Sequence, residues 1–554
     1  MAVGILNTAI SGMAAFQRSL DVTSNNISNV STEGYSRQRV ELQSSPEQYV
    51  GHGYLGSGVN STNIKRSYDE FITTQVRSSS TAFQDVNSFH ALASRIDNLM
   101  ADETTGLMST MKSFFNSVND LSTDPSSMPA RQVMLSQAGT LTYQFNTTAS
   151  RLDDIRQQVN NNLESAVKEV NAHAESIADL NKQISDAIAK TSGRQLPNEL
   201  MDKRDLLLSK IAEKMDISVV PQPDGTYSIY LAQGQPLVLG NVASSMNLQN
   251  SATDQTRTDI MMNGQNVSDK MTGGEIYGNL RFRDQMLDRT QQQLGWLATG
   301  LAVEFNALHR NGFDLNGTTG INFFDLGTPA AQVNQQAVDK DLQVAANFVA
   351  PSSALNLGAS YKLDVTGTVP DTFKLTNLSD NSTLTGLNLA ALNTATANNG
   401  FSINFSGGSL NVGDTFQISP NFNIPKTIKV NPAITTPGQI AAASATGLPG
   451  DNSNALKLAA LESKNLMLGG KSSFTQIYGQ MVTDIGTQTF SASVSRSAQQ
   501  VLLNQATAAR EDLSGVNLDE EAANLIKFQY AYQAAAKAAS VANNLFDALI
   551  GMIA

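Results

Sequence analysis

The chain has 554 residues, a formal net charge of −12 and no cysteine. The acidic balance argues against nucleic acid and acidic membranes as partners, and the missing cysteine excludes disulfides and thiolate metal sites. Charged residues make up only 16%, below the usual quarter, so the polar surface relies on Ser, Thr, Asn and Gln, which suits subunit packing.

The first thirty residues predict an amphipathic helix with a heptad repeat. The repeat alternates steps of three and four along Leu6, Ala9, Met13, Phe16, Leu20, Thr23, Ile27 and Val30. A period of 3.5 residues is typical of helices that wind around a partner helix. This segment lacks the basic start of a signal peptide. It therefore fits a cytosolic protein, or one exported unfolded by a route that does not cleave the N-terminus.

The next two hundred residues predict mainly helix. Residues 35–72 have turn glycines and short alternating runs, which indicate extended and loop structure. Helices are predicted over 82–100, over 130–190 as the longest helical stretch, and over 202–215, because apolar residues recur there with helical spacing.

At Ile217 the apolar period changes from 3.5 to 2. Residues 218–231 predict a hairpin with an Asp224–Gly225 turn, which starts a small β domain over 217–272. Leucines seven apart predict helix over 275–310. Residues 313–454 are rich in Gly, Asn and Thr and predict a second, outer β domain, after which helix is predicted over 456–510.

The last forty residues predict a second heptad helix. Its repeat runs through Leu525, Phe528, Tyr532, Ala535, Ala539, Ala542, Phe546, Leu549 and Ile553. The two terminal helices could each pack on a nearby core, or they could pair with each other and with neighbouring subunits. We favour pairing, because a helix with half of its surface apolar needs another helix.

Together these patterns predict an elongated, multidomain α+β fold with its terminal helices paired as a coiled coil or helical bundle. A terminal assembly module would comprise 1–34 and 513–554. A helical stalk would comprise 35–216, 273–312 and 455–512, with the two β domains inserted.

Sequence motifs for catalysis, nucleotide binding or metal binding are weak in this chain. The four histidines (His52, His90, His173 and His309) are too far apart in sequence for a recognisable metal motif. Residues 51–56 match G-x-G-x-x-G, but an extended segment follows where a phosphate-binding helix should begin. Residues 314–325 resemble a calcium loop that lacks its required glycine and final glutamate, so a turn is the better interpretation. We therefore predict no enzyme activity, no cofactor and no metal.

Two end motifs resemble the bacterial flagellar rod, hook and hook-associated proteins. The N-terminal motif comprises Ser24, Asn25, Asn26 and Asn29, followed by Gly34, Tyr35, Arg37 and Gln38. The C-terminal motif, within residues 514–522, includes Asn517, Leu518 and Glu520. The Gly-Tyr-Ser-Arg-Gln form, the chain length and the segment 96–99 resemble most the member at the junction between hook and filament.

The resemblance implies a non-enzymatic, extracellular component of the flagellar axis, exported by the type III route. Its implied partners are other copies in a ring, the hook protein, hook-associated protein 3 and an export chaperone on the C-terminal helix, with no nucleic acid or membrane. Alternatives are another axial protein, such as hook-associated protein 3 or the hook protein, and a secreted adhesin or effector with a helical stalk. An enzyme is the third class.

Overall fold

The computed structural model describes residues 2–553 except 50–52, 103–105, 192, 194, 232, 252–255, 328–329, 334–338, 340, 349–359, 379–380, 398–400 and 468–469. Within the described elements, the side chains of residues 2–3, 48, 55, 330–333, 348, 549–550 and 552–553 are also left out.

The helices are α1 (Ala2–Ser28), α2 (Glu70–Met100), α3 (Leu107–Thr123), α4 (Met128–Lys190), α5 (Asn198–Lys214), α6 (Gly274–Phe282), α7 (Asp288–Arg310), α8 (Leu389–Ala397), α9 (Ile424–Thr427), α10 (Ser453–Ala460), α11 (Phe474–Ser514) and α12 (Leu518–Ile553). A π-helical turn, Arg283–Leu287, joins α6 to α7.

The first eleven strands are β1 (Gln38–Ser44), β2 (Gln48–Tyr49), β3 (Tyr54–Leu55), β4 (Val59–Arg66), β5 (Ile217–Pro221), β6 (Tyr227–Leu231), β7 (Pro236–Leu239), β8 (Val242–Ala243), β9 (Met246–Asn250), β10 (Thr258–Met262) and β11 (Gln265–Asn266). The later strands are β12 (Phe324–Asp325), β13 (Ala330–Val333), β14 (Gln343–Phe348), β15 (Tyr361–Thr368), β16 (Asp371–Asn377), β17 (Thr383–Leu387), β18 (Phe401–Ser406), β19 (Thr415–Ser419) and β20 (Lys429–Val430).

The predicted α+β architecture is confirmed, with two differences among the early helices: α3 was not predicted, and α2 starts earlier than predicted. That helix was predicted from Ala82 but begins at Glu70, because Asp69 caps it by accepting a hydrogen bond from the N–H of Ile72 (3.0 Å). Asp, Ser, Thr and Asn are preferred at this position since they satisfy N–H groups that have no helical partner. The first turns of α2 carry few large apolar side chains, so the periodic signal alone missed them.

The helical body has one large core. The helices α2 and α11 lie side by side and antiparallel, and the hydroxyl of Tyr478 on α11 donates to the carbonyl of Met100 at the end of α2 (2.8 Å). Buried side chains of α3, α4, α6 and α7 continue this core. The long helix α4 supports this core, since β7, β8 and β9 lie against one part of it and α9 and β20 against another.

The first β region forms two antiparallel sheets against α4. Strands β5, β6, β7 and β8 form one sheet, and β11, β10 and β9 form the other, in those orders. The predicted hairpin is confirmed: Ile217 pairs with Leu231, and Gly225 in its turn has φ +84°. Glycine is needed there, since a Cβ would also lie 2.4 Å from the Cδ1 of Ile188.

The second β region has its own core. Five strands pair in the order β13, β19, β15, β16, β17, and β14 pairs with β18; their buried side chains, with that of Leu392 on α8, form a separate cluster. Phe324, Ile424 and Ile428 instead pack into the large core. We therefore propose that the separable outer domain spans 330–419, which is narrower than the 313–454 suggested by composition.

Helices are tied to strands by asparagine clamps, in which one side-chain amide bonds both the N–H and the C=O of one strand residue. The described residues include five: Asn26 with Gln38, Asn171 with Met246, Asn181 with Tyr227, Asn306 with Phe324, and Asn393 with Ile403. An amide side chain carries the same donor and acceptor as a peptide unit. Each clamp therefore substitutes for a missing neighbouring strand.

His309 is a buried neutral histidine at the end of α7. Its Nδ1–H donates to the carbonyl of Ile321 (2.6 Å), and its Nε2 accepts from the N–H of Ala441 (3.0 Å). Burial, with a smaller contribution from Arg131, lowers the pKa of His309 from 6.5 to about 4. The ring thus joins two segments of the body as a polar packing residue.

We expect acid to weaken the body through His309. The imidazole of His309 binds a proton near pH 6.5 in the unfolded chain but only near pH 4 in the folded chain. The folded state therefore loses stability relative to the unfolded state as the pH falls through that interval. The free energy of unfolding should be lower by about 2 kcal/mol at pH 5 than at pH 7 from this group. Denaturant titrations of the original chain and of His309→Gln should show this part of the pH dependence only in the original. Equal pH dependence in both would contradict the assignment.

Candidate assembly interface

The first and last helices, α1 and α12, pack against each other in antiparallel orientation, with small side chains at their contact. This pair of helices is here called the terminal hairpin. In α1 the buried line runs through Ala9, Gly12, Ala15, Ser19, Thr23 and Asn26. In α12 the most deeply buried apolar positions are Ala539 and Ala542. A Cβ on Gly12 would lie 3.7 Å from the Cβ of Ala535, so the two backbones approach closely. Helix separation depends on the side chains at the contact, and small ones permit this approach.

The predicted seam of α1 is displaced by about one residue. Ala9 and Thr23 lie on the buried line as predicted, whereas Leu6, Met13, Phe16, Leu20 and Ile27 flank it and are only partly buried. Val30 lies beyond the end of the helix at Ser28 and is exposed, so its placement in the helical seam was wrong. The heptad pattern predicts large apolar residues at the contact, but the residues that lie between the two helices are the small ones beside them.

On α12 the predicted seam divides into two groups. Leu525, Phe528 and Ala535 are partly buried, and Ala539 and Ala542 are buried. Tyr532 and Phe546 are 36% and 44% exposed, so they do not belong to the centre of the contact with α1. The side chains of Leu549 and Ile553 lie outside the described residues.

Large apolar side chains remain on the outside of the helix hairpin. Phe546 is exposed near the end of the seam, on the side of α12 that carries Ala539 and Ala542; the other exposed ones, beside Tyr532, are Ile5, Ile10, Leu518, Ile526, Tyr530, Val541 and Leu545. Isolated exposed apolar residues are ordinary, but a concentration of them on one element marks an interaction surface. The hairpin thus closes its own seam and still offers apolar surface to another protein.

A buried polar cluster, here called the clasp, joins the base of this hairpin to the chain. Asn26 is 1% exposed and makes four hydrogen bonds. Its Oδ1 accepts from the N–H of Gln38 (2.9 Å) and the hydroxyl of Tyr35 (2.8 Å). Its Nδ2 donates to the carbonyl of Gln38 (2.9 Å) and to Oε2 of Glu521 (3.1 Å). One side chain thereby ties α1 to β1 and to α12.

Arg37 supplies the charge that Glu521 needs. Its Nε donates to Oε1 of Glu521 (2.7 Å) and its Nη1 to Oε2 of Glu520 (2.6 Å). The side chain of Glu521 is only 2% exposed and that of Glu520 is 59% exposed. The N–H of Arg37 also donates to the carbonyl of Ser514 at the end of α11 (2.8 Å). A buried carboxylate is tolerated because both of its oxygens are bonded.

The clasp continues into the helical body through Asp202 on α5. Asp202 accepts from the N–H of Ser36 (3.1 Å) and from Arg66 (2.9 Å), and Arg66 also donates to Asp205 (2.7 Å). Burial, followed by the charge of Asp202, raises the pKa of Tyr35 to about 12, so its hydroxyl stays a neutral donor. The clasp therefore positions the terminal hairpin against the body.

The other motif residues shape the chain around the clasp. Asn29 donates to Oδ1 of Asn25 (2.8 Å) where α1 ends. The carbonyl of Ser24 accepts from the hydroxyl of Ser28 (2.9 Å). Gly34 has φ +81°, and a Cβ there would lie 2.9 Å from the Cβ of Leu206.

At the start of α12, Asn517 accepts hydrogen bonds from the N–H groups of Asp519 (2.9 Å) and Glu520 (3.3 Å). It is thus an N-cap. Leu518, the last of the predicted motif residues, is half exposed and makes no contact with the clasp that the structure shows.

Sequence reasoning found Asn26, Tyr35, Arg37, Gln38 and Glu520 but missed other members of the clasp. Glu521 lay within the C-terminal motif but was not named as a site residue, and Arg66, Asp202, Asp205 and Asn198 were absent from the prediction; Asn198 donates to the side chain of Gln38 (3.2 Å) and to the carbonyl of Ile64 (2.8 Å). Acidic residues in a first helical turn usually reflect the helix dipole, so nothing in the sequence set Glu521 apart from Glu520.

No group of three or more His, Asp or Glu side chains among the described residues is placed to hold a metal ion. None of their helices is long and apolar enough to cross a membrane.

Both chain ends match models of axial proteins of the bacterial flagellum. Residues 6–35 match the flagella basal body rod protein model, and residues 512–552 match the C-terminal model of the flagellar basal body rod FlgEFG proteins. Between them, residues 93–324 match the model described as the flagellar hook-associated protein FlgK helical domain.

Full-length relatives narrow the class to one family. The chain is 33% identical over 567 residues to flagellar hook-associated protein 1 of Salmonella typhimurium, covering 99% of each chain. It is 34% identical to that of Escherichia coli K12, again over 99% of each chain, and 27% identical to that of Bacillus subtilis over 98% of this chain and 97% of the relative. The chain therefore belongs to the flagellar hook-associated protein 1 (FlgK) family.

The fold agrees with this assignment. The structure of the flagellar hook junction protein FlgK from Burkholderia pseudomallei matches with a TM-score of 0.68 and 22% identity, covering 79% of this chain and all of that one. As a family member, the chain is a structural component of the extracellular flagellum at the junction of hook and filament.

Proposed function

We propose that the chain builds the junction by forming a ring of copies that contact one another through the terminal helix hairpin. One observation carries this proposal: α1 and α12 close their own seam with small residues and leave large apolar side chains outside. In the ring, those side chains would be covered by neighbouring hairpins. The assembly module would comprise 1–34 and 513–554, and the helical body would hold it through the clasp.

The proposed partners follow from the family and from this surface. The hook protein and hook-associated protein 3 would contact the ring on its two sides. An export chaperone would cover the apolar face of α12 before assembly. The role would be non-enzymatic, in keeping with relatives that are named for hook association and hook junction.

Complementation of a deletion strain tests this proposal. Cells that express the full chain should carry attached filaments in electron micrographs. Cells that express a chain ending at Gly515 should release filament protein into the medium, since α12 and its apolar face are missing. A full-length chain with Ser540→Asp, at an exposed position on the polar side of α12, serves as a control for expression and export. Attached filaments on cells with the truncated chain would refute assembly through the hairpin.

We expect the outer β domain to be dispensable for attachment. Ala330 lies opposite Ser419 in the β13–β19 pair, so their Cα atoms are about 5 Å apart and a short glycine linker can replace 331–418. This variant should be exported and should hold filaments, which motility and electron microscopy would show.

A longer excision provides the contrast. Removing 331–432 also removes Ile424 and Ile428 from the large core. Loss of each such side chain costs roughly 2–5 kcal/mol, so this variant should be unstable. A folded, exported 331–418 variant that failed to attach filaments would contradict the peripheral role.

A further inference from the structure

One oxygen of a buried carboxylate on α5 has no hydrogen-bond donor. Asp205 is only 9% exposed. Its Oδ2 accepts from Arg66 (2.7 Å), whereas its Oδ1 is buried and accepts no hydrogen bond from the described residues. Arg204, its neighbour in α5, donates instead to Asn181 (2.9 Å). Buried polar atoms are almost always bonded, so this exception calls for an explanation.

A guanidinium group without a partner lines the same place. Asp205 and Arg510 both line a small cavity of about 50 Å³ at the base of the terminal hairpin. Arg510 lies near the end of α11 and is partly exposed; among the described residues it forms no ion pair and no side-chain hydrogen bond. It also borders two larger cavities, of about 790 and 470 Å³. The small cavity holds only a few water molecules, so an arginine side chain can reach across it, and the larger cavities give that side chain room to move.

The cation that bonds Asp205 is tied to the terminal hairpin, whereas Arg510 belongs to the body. Arg66 is the last residue of β4 and lies opposite Gln38 in the β1–β4 pair. Asn26 of α1 clamps Gln38 through both of its main-chain groups. A displacement of α1 from the body therefore draws Arg66 away from α5. Arg510 stays behind, since α11 packs into the large core.

Loss of Arg66 would leave two buried carboxylates without a cation. Arg66 also bonds Asp202 (2.9 Å), and removing one partner of a buried ion pair costs far more than breaking an exposed pair. That cost alone would hold the hairpin in one position. A second cation that reaches Asp205 lowers the cost, and among the described residues that line the small cavity only Arg510 carries a positive charge.

We propose that Arg510 replaces Arg66 as the partner of Asp205 when the terminal hairpin tilts away from the body. The replacement lowers the free energy of the tilted state, so the hairpin changes its angle without leaving Asp205 unpaired. The replacement itself is a property of the monomer. Its use, which is to let the hairpin reorient as it enters the ring, rests on the proposed function.

Hydrogen exchange of three main-chain N–H groups, followed by mass spectrometry with residue resolution, tests the replacement. The N–H of Ser36 donates to α5 (3.1 Å) and that of Arg37 to the end of α11 (2.8 Å), so both are freed when the hairpin tilts. The N–H of Gln38 donates to α1 (2.9 Å), which moves with it, and serves as an internal reference. The measurement uses the purified monomer, so its outcome does not depend on whether a ring forms.

Arg510→Gln should slow the hydrogen exchange of Ser36 and Arg37 roughly three- to tenfold, because the tilted state loses its substitute partner while the resting state keeps every bond that the structure shows. Gln38 should exchange as before. Arg510→Lys keeps the charge and should stay close to the original chain, and so should Arg496→Gln, which removes an exposed arginine elsewhere on α11. Faster or unchanged exchange in Arg510→Gln would overturn the proposal.

A double-mutant cycle identifies the group that Arg510 meets. Asp205→Asn removes the charge and also weakens the bond to Arg66, so Ser36 and Arg37 should exchange faster in this variant. Adding Arg510→Gln to it should change nothing further. Equal slowing by Arg510→Gln with and without the carboxylate would show that Arg510 acts on another group, and would overturn the proposal. If Asp205→Asn does not fold, the comparison of Arg510→Gln with Arg510→Lys decides, since equal exchange in those two variants would contradict a role for the charge.

Discussion

Replacing Phe546 with aspartate is expected to abolish filament retention and to leave the monomer folded. The side chain is 44% exposed in the monomer, so the body should not be affected. In the proposed ring the side chain is covered by a neighbouring copy. Losing a large buried apolar group costs roughly 2–5 kcal/mol, and an unpaired buried charge adds to that cost. The defect recurs at every contact of the ring, so a modest loss per contact should become a complete loss of attachment.

The measurement is electron microscopy of a complemented deletion strain, with filament protein in the medium determined in parallel. Ser540→Asp is the control, since it places a carboxylate at an exposed position of α12, on the polar stripe that also carries Gln529, Gln533 and Asp547. The two variants should be compared at equal secreted amounts, which separates assembly from export. Equal filament retention would show that the exposed end of the α12 seam does not carry assembly.

Replacing Glu521 with alanine should release the terminal hairpin from the body. Arg37 and Asn26 would both lose a partner in a buried place, and breaking a buried ion pair by removing one partner costs about 3–5 kcal/mol. The side chain of Arg37 is about a quarter exposed, so we expect the lower end of that range. Glu521→Gln keeps an oxygen acceptor but not the charge, and should have an intermediate effect.

Hydrogen exchange of the amides in α1 and α12 measures this effect directly, because local opening has its own free energy. Protection in both helices should fall in Glu521→Ala, while α4 should exchange as before. Glu520→Ala is the matched control: its carboxylate bonds the same arginine but is 59% exposed, and exposed pairs contribute about 0–1 kcal/mol. If the two alanine variants exchanged alike, the buried carboxylate would not be the centre of the clasp.

Local patterns in the sequence were enough to predict most elements and the family. The long helix α4, the hairpin at Ile217–Leu231 and the terminal helix α12 each follow from a run of regularly spaced apolar residues or a specific turn. The end motifs resembled those of axial proteins, and Asn26, Tyr35, Arg37 and Gln38 proved to lie together in the clasp. These features depend on residues close to each other in the chain, where spacing and turn chemistry are direct evidence of structure.

Tertiary packing decided which face of each terminal helix meets the other, and what holds their base. The heptad pattern predicted Met13 and Phe16 at the contact with α12. In the structure Gly12 and Ala15 lie there instead, because the two backbones are so close that only small side chains fit between them. The buried carboxylate of Glu521 accepts a hydrogen bond from Asn26, which is 495 residues away in the chain, whereas the side chain of its neighbour Glu520 is exposed to solvent. No spacing rule separates those two carboxylates, because their difference is burial, and burial is set by segments that meet only once the chain has folded.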